Sequence, residues 1–298
     1  MDWPRISLVT ASFNQGAFLE QTIRSVLDQG YPNLQYGIVD GGSTDGSLQI
    51  IERYRRQLDY VVIEADDGQS QAINKGLSRA DGDVAGWLNS DDTLLAGALH
   101  RVGRFFSQHR DANWLIGHSV QIDERGTPGQ RITPAGEFTL AGALLRRRPF
   151  NVPQPSTFWR RPLLEQVGLL DESLHHCMDF DLWCRLLAAG HRPVFVDDQL
   201  ATYRFHESSK TCGQEDGFIA ALIDIERRYA HLLTWRQRLE LYRRMGYQRR
   251  ALAVRTLGRA VWRRALMRPW WFASRQVMQG IWRGEAATNA TYRRAGAT

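Results

Sequence analysis

"ISLVTASFNQGAFLEQTIRSVLDQGYPNLQYGIVD" (6–40) holds two short apolar runs, ISLVTAS (6–12) and LQYGIVD (34–40), on either side of AFLEQTIRSVLDQ (17–29), whose apolar residues recur at helical spacing. Short apolar runs bounded by turn residues suit strands, and the amphipathic segment between them suits a helix. The alternation continues through SLQIIERYRRQL (47–58), YVVIEA (60–65), SQAINKGLSRA (70–80) and DVAGWLN (83–89). This order predicts an α/β fold, a mostly parallel Rossmann-like sheet with helices on both faces.

In such sheets the ligand crevice lies outside the carboxyl ends of the strands. The loops leaving those ends are SFNQ (12–15), DGGSTDGS (40–47), ADDGQSQ (65–71) and NSDD (89–92); all are polar and three carry carboxylates. From about residue 110 the pattern loosens into NWLIGHSVQID (113–123), a Pro and Gly stretch, QPSTFWRR (154–161) and a strong helix around MDFDLWCRLLAAG (178–190). RPVFVDD (192–198) and TYRFHESSKT (202–211) follow, and helical periodicity then runs to the end. We divide the chain into 1–215, with a nucleotide-binding half 1–110 and an acceptor half 111–215, and a basic helical region 216–298.

With 298 residues, 43% hydrophobic and 23% charged, the composition is that of a globular protein and not of a disordered one. The start, MDWPRISLVT, lacks a basic segment followed by a long apolar run, and no window reaches the ~18 apolar residues of a membrane span. Neither export by a signal peptide nor a transmembrane segment is expected. The three cysteines have no CxxC spacing, and Cys177 and Cys184, seven residues apart on a helix, would stand roughly 10 Å apart, beyond disulfide reach. That suits a reducing cytosol.

Four loops supply the candidate site. DGGSTDGS can be a well-made strand-to-helix turn, yet Asp40 at the strand tip can also accept the imide N–H of a uracil or bond a ribose hydroxyl. Asp91 and Asp92 repel each other, and Mg²⁺ or Mn²⁺ bridging a nucleotide's phosphates would relieve the repulsion; the alternative is a solvated acidic turn capping a helix over 93–107. DDGQSQAINKG (66–76) contributes Asp67, Gln69, Asn74 and Lys75, one of two lysines beside 36 arginines, with ordinary helix-surface residues as the alternative. Thr10, Ser12, Asn14, Asn89 and Ser90 complete the nucleotide-sugar set.

The order and spacing of these loops, with QPSTFWRRPLLEQVGLLDES, HHCMDFDLWCRL and YRFHESSKT after them, closely resemble the family 2 glycosyltransferases of the bacterial surface-polysaccharide type, over roughly residues 5–212. The resemblance implies the GT-A fold, an inverting transfer from a nucleotide diphosphate sugar, usually a UDP-sugar, and a divalent metal. It assigns nucleobase binding to Asp40, metal binding to Asp91 with Asp92 in support, the general base to Asp179 and a further metal ligand to His206. Three positions depart from the family pattern: Asn89 and Gly41 stand where aspartates are usual, and Met178 precedes the base in place of Glu.

Gln154, Asp181 and Trp183 are the acceptor-side candidates, Asp181 doubling as a reserve base. Trp183 lies four residues beyond Asp179, on the same helix face, and can stack on a sugar or simply fill the core. His175 and His176 are assigned no role.

Residues 225–298 hold 17 arginines against 3 glutamates, a local charge of +14 inside a net charge of +6. Trp235, Trp262, Trp270, Trp271 and Trp282 are half of the chain's 10 tryptophans. In 247–266, Ala251, Leu252, Val254, Leu257, Val261, Trp262 and Leu266 share one helical face beside arginines. Such a tail can lie on anionic lipid or pack on the catalytic domain; no nucleic-acid motif accompanies it. The lipid reading makes the chain a cytoplasmic protein, peripheral on the inner face of the plasma membrane, with a saccharide or lipid-linked saccharide as acceptor. Two other functions compete: a sugar nucleotidyltransferase, whose Gly-rich phosphate loop is missing from SFNQGAF, and an inactive carbohydrate-binding or scaffold protein.

Overall fold

The structure, a computed structural model, describes residues 2–206, 209 and 215–262; at 215 and from 255 to 262 only the helical backbone is described. β1 (Ile6–Ser12), α1 (Gly16–Leu27), β2 (Leu34–Asp40), α2 (Ser47–Tyr54), β3 (Tyr60–Ile63), α3 (Gln69–Leu77) and β4 (Val84–Asn89) alternate as the apolar periodicity predicts. Order β3-β2-β1-β4 with all pairings parallel puts the four loops at one end of the sheet. The register aligns Ser12 with Asp40, Ala11 with Asn89 and Asp40 with Ile63, so those strand tips end level.

After α4 (Ala98–Gln108) come β5 (Trp114–Ile122), β6 (Pro128–Ile132), α5 (Leu140–Leu145), β7 (Thr157–Arg160), α6 (Arg161–Val167), α7 (Met178–Ala188) and β8 (Val194–Arg204). The sheet changes direction at β7, which runs antiparallel to both β4 and β5; β8 pairs parallel to β5. The result is the GT-A architecture, a mostly parallel mixed sheet flanked by helices, with helices α8 (Glu215–Tyr229) and α9 (Trp235–Trp262) after it.

Three elements differ from expectation. The helix after NSDD starts at Ala98, not at 93, because Leu94 bridges Ala201 of β8 and Leu95 N–H donates to the Leu200 carbonyl at 2.8 Å. β6 occupies the Pro and Gly stretch, and with residues 128–131 exposed it carries no apolar signal. RPVFVDD and TYRF are parts of one strand, β8.

One apolar core lies between the sheet and α1, α2 and α4; the other lies against α3, α6 and α7. Trp183 belongs to the second core. Its indole stacks on Trp114 at 5.4 Å and Trp159 at 5.5 Å, with Trp87 at 6.4 Å. Each such aromatic contact adds about 0.5–1.5 kcal/mol beyond area burial. The expected role of Trp183 at the acceptor is therefore corrected: the side chain is fully buried core.

A third cluster joins α5 and α7 to α8 and α9 through Leu144, Cys184, Ile223, Ile225, Leu241 and Met245. The charge boundary at 225 falls inside α8, whose Ile225 and Glu226 are fully buried. Glu226 accepts from Arg146 and, at 2.6 Å, from Arg244, so one carboxylate clamps α5, α8 and α9 together. Of the apolar face foreseen in 247–266, Ala251 and Leu252 are half-buried and Val254 is exposed. The side chains of Leu257, Val261 and Trp262, and residues Leu266, Trp270, Trp271 and Trp282, lie outside the described residues, as does Cys212. Among the described residues no helix is long and apolar enough to cross a membrane.

Candidate active site

Asp40 ends β2 fully buried, and its own loop closes around it. Oδ1 accepts from Gly42 N–H at 3.0 Å and Ser43 N–H at 2.7 Å, and Oδ2 accepts from the Ser43 hydroxyl at 2.8 Å. Gly42, at φ 87, supplies the left-handed turn this wrap requires. Asn14 fastens the neighbouring loop, its Oδ1 accepting from Thr44 N–H at 2.8 Å and its N–H donating to Ser43 Oγ at 2.8 Å. These bonds tie the two loops to each other. Beside them Phe13, 59% exposed, presents an aromatic ring at the sheet's carboxyl end. Sequence reasoning passed over it, although an aromatic residue between Ser12 and Asn14 in a polar strand-end loop is a usable signal.

At the end of β4 the side chains divide the work. Asp91 Oδ2 lies 3.0 Å from His206 Nε2, across 115 residues of sequence, with one-fifth of the Asp91 side chain exposed. Asp92 is buried: Oδ1 accepts from Arg204 N–H at 2.9 Å and Oδ2 from Asn89 Nδ2 at 3.3 Å. Burial, and then the charge of Asp91, push the Asp92 carboxyl well above the usual carboxylate range. Asp92 is thus an internal brace for the turn. The Thr22 hydroxyl of α1 supports the same turn, 2.7 Å from the Asp92 carbonyl and 2.9 Å from that of Ser90.

Arg204, which sequence reasoning missed, is the second brace. Its buried guanidinium donates to the Asp91 carbonyl at 2.8 Å, the Asp123 and Glu124 carbonyls at 3.1 Å and Gln21 Oε1 at 2.6 Å, and it covers the Phe18 ring. An arginine two residues before His206, in a strand that enters the core, was the available clue.

Asn89 joins the halves: its Oδ1 accepts from Gln69 Nε2 at 2.8 Å, and its Nδ2 donates to Asp92 and, at 3.3 Å, to Gln154 Oε1. The segment leading to α7 is laid along α3. Ser70 Oγ donates to the Leu174 carbonyl at 2.9 Å, and Asn74 Nδ2 donates to the Leu170 carbonyl at 2.8 Å and Glu172 at 2.9 Å. That path delivers Asp179, in the first turn of α7. Its side chain keeps some open surface while protein atoms crowd it closely, and this burial raises its carboxyl above the usual range.

Residues 7–168 match the sequence model of the glycosyl transferase family 2. The chain is a family 2 glycosyl transferase. It is 29% identical over 210 residues to the "Putative teichuronic acid biosynthesis glycosyltransferase TuaG" of Bacillus subtilis, covering 69% of this chain and 81% of that one. A PGL/p-HBAD biosynthesis glycosyltransferase of Mycobacterium tuberculosis is 25% identical over 269 residues, covering 89% of this chain and 95% of its own. Among solved structures, S. aureus TarS 1-349 in complex with UDP-GlcNAc superposes with a TM-score of 0.60 at 20% identity, over 74% of this chain and 65% of that one. The mannosyltransferase PcManGT from Pyrobaculum calidifontis, in complex with GDP-Man and Mn²⁺, gives a TM-score of 0.60 at 16% identity, over 94% of this chain and 80% of its own. This chain therefore spans slightly less than two thirds of the TarS chain.

The three departures of this glycosyl transferase from the family pattern have local causes. A Cβ at Gly41 would come within 2.7 Å of Asp66 Oδ2 and 3.2 Å of Phe13; a second aspartate would meet a carboxylate there. Met178 packs against two apolar clusters, where Glu would bring an unpaired charge. Asn89 faces two acceptors and one donor, which an amide satisfies and a carboxylate cannot. Asn89→Asp is accordingly expected to lower stability by about 1–3 kcal/mol by leaving Asp92 and Gln154 without their donor. Thermal unfolding in EDTA checks this, and an unchanged Tm contradicts it.

Other expectations are corrected by burial or by pairing. The Thr10 hydroxyl is buried 3.0 Å from Tyr36 Oη, inside the sheet. Asn74 is spent on residues 170–172, and Lys75 pairs with Glu64 at 2.9 Å and the Ala65 carbonyl at 3.2 Å, at the β3 edge. Asp181, fully buried, accepts from Arg185 at 2.9 Å, Tyr229 at 2.9 Å and Arg228 at 3.1 Å, so it pins α8 to α7 and faces no acceptor. Gln154 is buried, donating to the Trp87 carbonyl at 3.1 Å behind Asn89. Ser12 and Ser90 are likewise buried at the strand tips, while Asp67 is exposed and bonded to Gln71.

Proposed function

We propose that the chain is an inverting glycosyltransferase that moves a sugar from a nucleotide diphosphate donor, a UDP-sugar, to a hydroxyl of a saccharide or lipid-linked saccharide in cell-surface polysaccharide or glycolipid synthesis. The observation that carries this reading is the convergence of Asp91 and His206 at the carboxyl end of β4, level with the Asp40 loop. Among the described residues no three His, Cys, Asp or Glu side chains can cage an ion by themselves. An oxygen and nitrogen pair that leaves further positions to phosphate and water fits Mn²⁺ or Mg²⁺ held partly by a nucleotide diphosphate. Asp91 and His206 would hold that ion, and its charge would stabilise the departing diphosphate.

The chain's own residues supply the rest. The Asp40 loop, braced by Ser43 and Asn14, forms the floor for the nucleoside, and Phe13 offers a ring for a base to stack on. Asn89, tied to Gln69, Asp92 and Gln154, holds the β4 turn in place beside Asp91. Asp179 takes the acceptor proton as the hydroxyl attacks the anomeric carbon, a role worth about 10²- to 10⁴-fold. Homologues named for teichuronic acid and PGL/p-HBAD biosynthesis support a surface-glycan acceptor. The enzyme is then a cytoplasmic protein, peripheral at the membrane where such acceptors are built.

The experiment is donor turnover by the purified protein. Release of UDP from UDP-sugars in Mn²⁺, suppressed by EDTA, is the expected result. No release with any nucleotide sugar indicates a binding protein instead, and activity only with nucleoside triphosphate plus sugar phosphate indicates a nucleotidyltransferase.

A further inference from the structure

We infer that the outward face of α9 is a docking surface for an anionic lipid bilayer. Trp235, Leu239 and Tyr242, at i, i+4 and i+7, form one apolar stripe and are 70%, 45% and 48% exposed. Arg236, Arg243 and Arg250 repeat at seven-residue steps along one flank, with Arg249 on the other, all exposed. Glu240 is the one acidic residue of α9, and it is tied to Arg147 at 2.8 Å.

The stripe is not the helix's core face. Leu241 and Met245 bury the opposite side, and Arg244 fixes it through Glu226 at 2.6 Å and the Leu145 carbonyl at 2.9 Å. An apolar stripe holding Trp and Tyr, flanked by arginines, matches the interface of a bilayer with anionic headgroups: the rings enter the headgroup boundary and the guanidinium groups remain at the charged surface. A nucleic acid would satisfy the arginines and leave Leu239 without an apolar partner.

α8 joins α9 to α7, because Glu226 holds Arg244 while Tyr229 and Arg228 hold Asp181, two residues from Asp179. A bilayer against α9 is thus a fixed number of packed layers from Asp179, which suits an acceptor anchored in the same membrane. The inference rests on the membrane-borne acceptor proposed above, yet its test uses neither donor nor acceptor, so either can fail alone.

Flotation of the full chain with vesicles of phosphatidylcholine, and of phosphatidylcholine with phosphatidylglycerol, tests it. The wild type should float with the anionic vesicles only. The triple variant W235S/L239S/Y242S should lose at least about tenfold in partitioning, and R243E/R250E should lose binding as steeply, both with unchanged Tm because the positions are exposed. Flotation of the stripe variant equal to wild type overturns the inference, as does absence of binding by the wild type. A stripe variant that floats normally but has a lowered Tm, or that turns a dimer into a monomer, assigns the stripe to the chain itself or to a second copy and equally overturns it.

Discussion

Asp91→Ala is expected to abolish metal-dependent nucleotide binding and to leave the fold intact. Asp91 is the one carboxylate of the β4 turn with an open face, and its partner His206 comes from beyond β8. Losing even an outer-shell partner of a metal costs about 10–100-fold in affinity, so loss of a ligand itself should exceed about 10²-fold. Thermal stabilisation by UDP with Mn²⁺ should vanish in the variant, while its unliganded Tm stays near that of the wild type. Asp92→Ala provides the contrast: it removes a buried acceptor from Arg204 and Asn89 and should lower Tm whether or not ligand is present. Metal-dependent stabilisation surviving intact in Asp91→Ala removes Asp91 from the metal site.

Asp179→Asn should keep UDP affinity near wild type and cut transfer of labelled sugar to extracted membrane acceptor by at least ~10². The pH profile carries a second signature. Burial raises the Asp179 carboxyl, and the base works only when ionised, so wild-type turnover should climb with pH through a midpoint above the ordinary carboxylate value of about 4. The same shift means that the folded state holds this proton more tightly than the unfolded chain. Its contribution to stability is complete below the ordinary value and is lost as pH rises through the raised one. The amide of the Asp179→Asn variant does not titrate, so its residual turnover should lack the rising limb. Collapse of donor binding along with turnover would instead make Asp179 a structural or donor-site residue.

How far the sequence could be read follows from what each element touches. β1, β2 and β4 are buried almost throughout, so their apolar runs are continuous and their carboxyl-end loops could be found by position. β6 lies exposed at an edge, and the first half of β8 is largely exposed, so neither carries that signal. Within the site, the pattern located the carboxylates but not their directions. Asp91 and Asp92 are adjacent, yet one keeps an exposed edge beside His206 and the other is buried against Arg204, because successive residues of a turn point different ways. Asn74 and Lys75 fail as ligand groups because each is taken by a protein partner, Asn74 by Leu170 and Lys75 by Glu64. Trp183 shares a helix face with Asp179, but the face turns into the stack of Trp114 and Trp159 within one turn.

Calorimetric titration of UDP into the full chain decides whether the loops at the carboxyl ends of β1, β2 and β4 form a metal-dependent nucleotide diphosphate site. In Mn²⁺ one binding site per chain is expected, weakened at least about tenfold in EDTA, since the phosphates then lose their bridging charge. Equal affinity in Mn²⁺ and EDTA, or no binding of UDP in either, would contradict it.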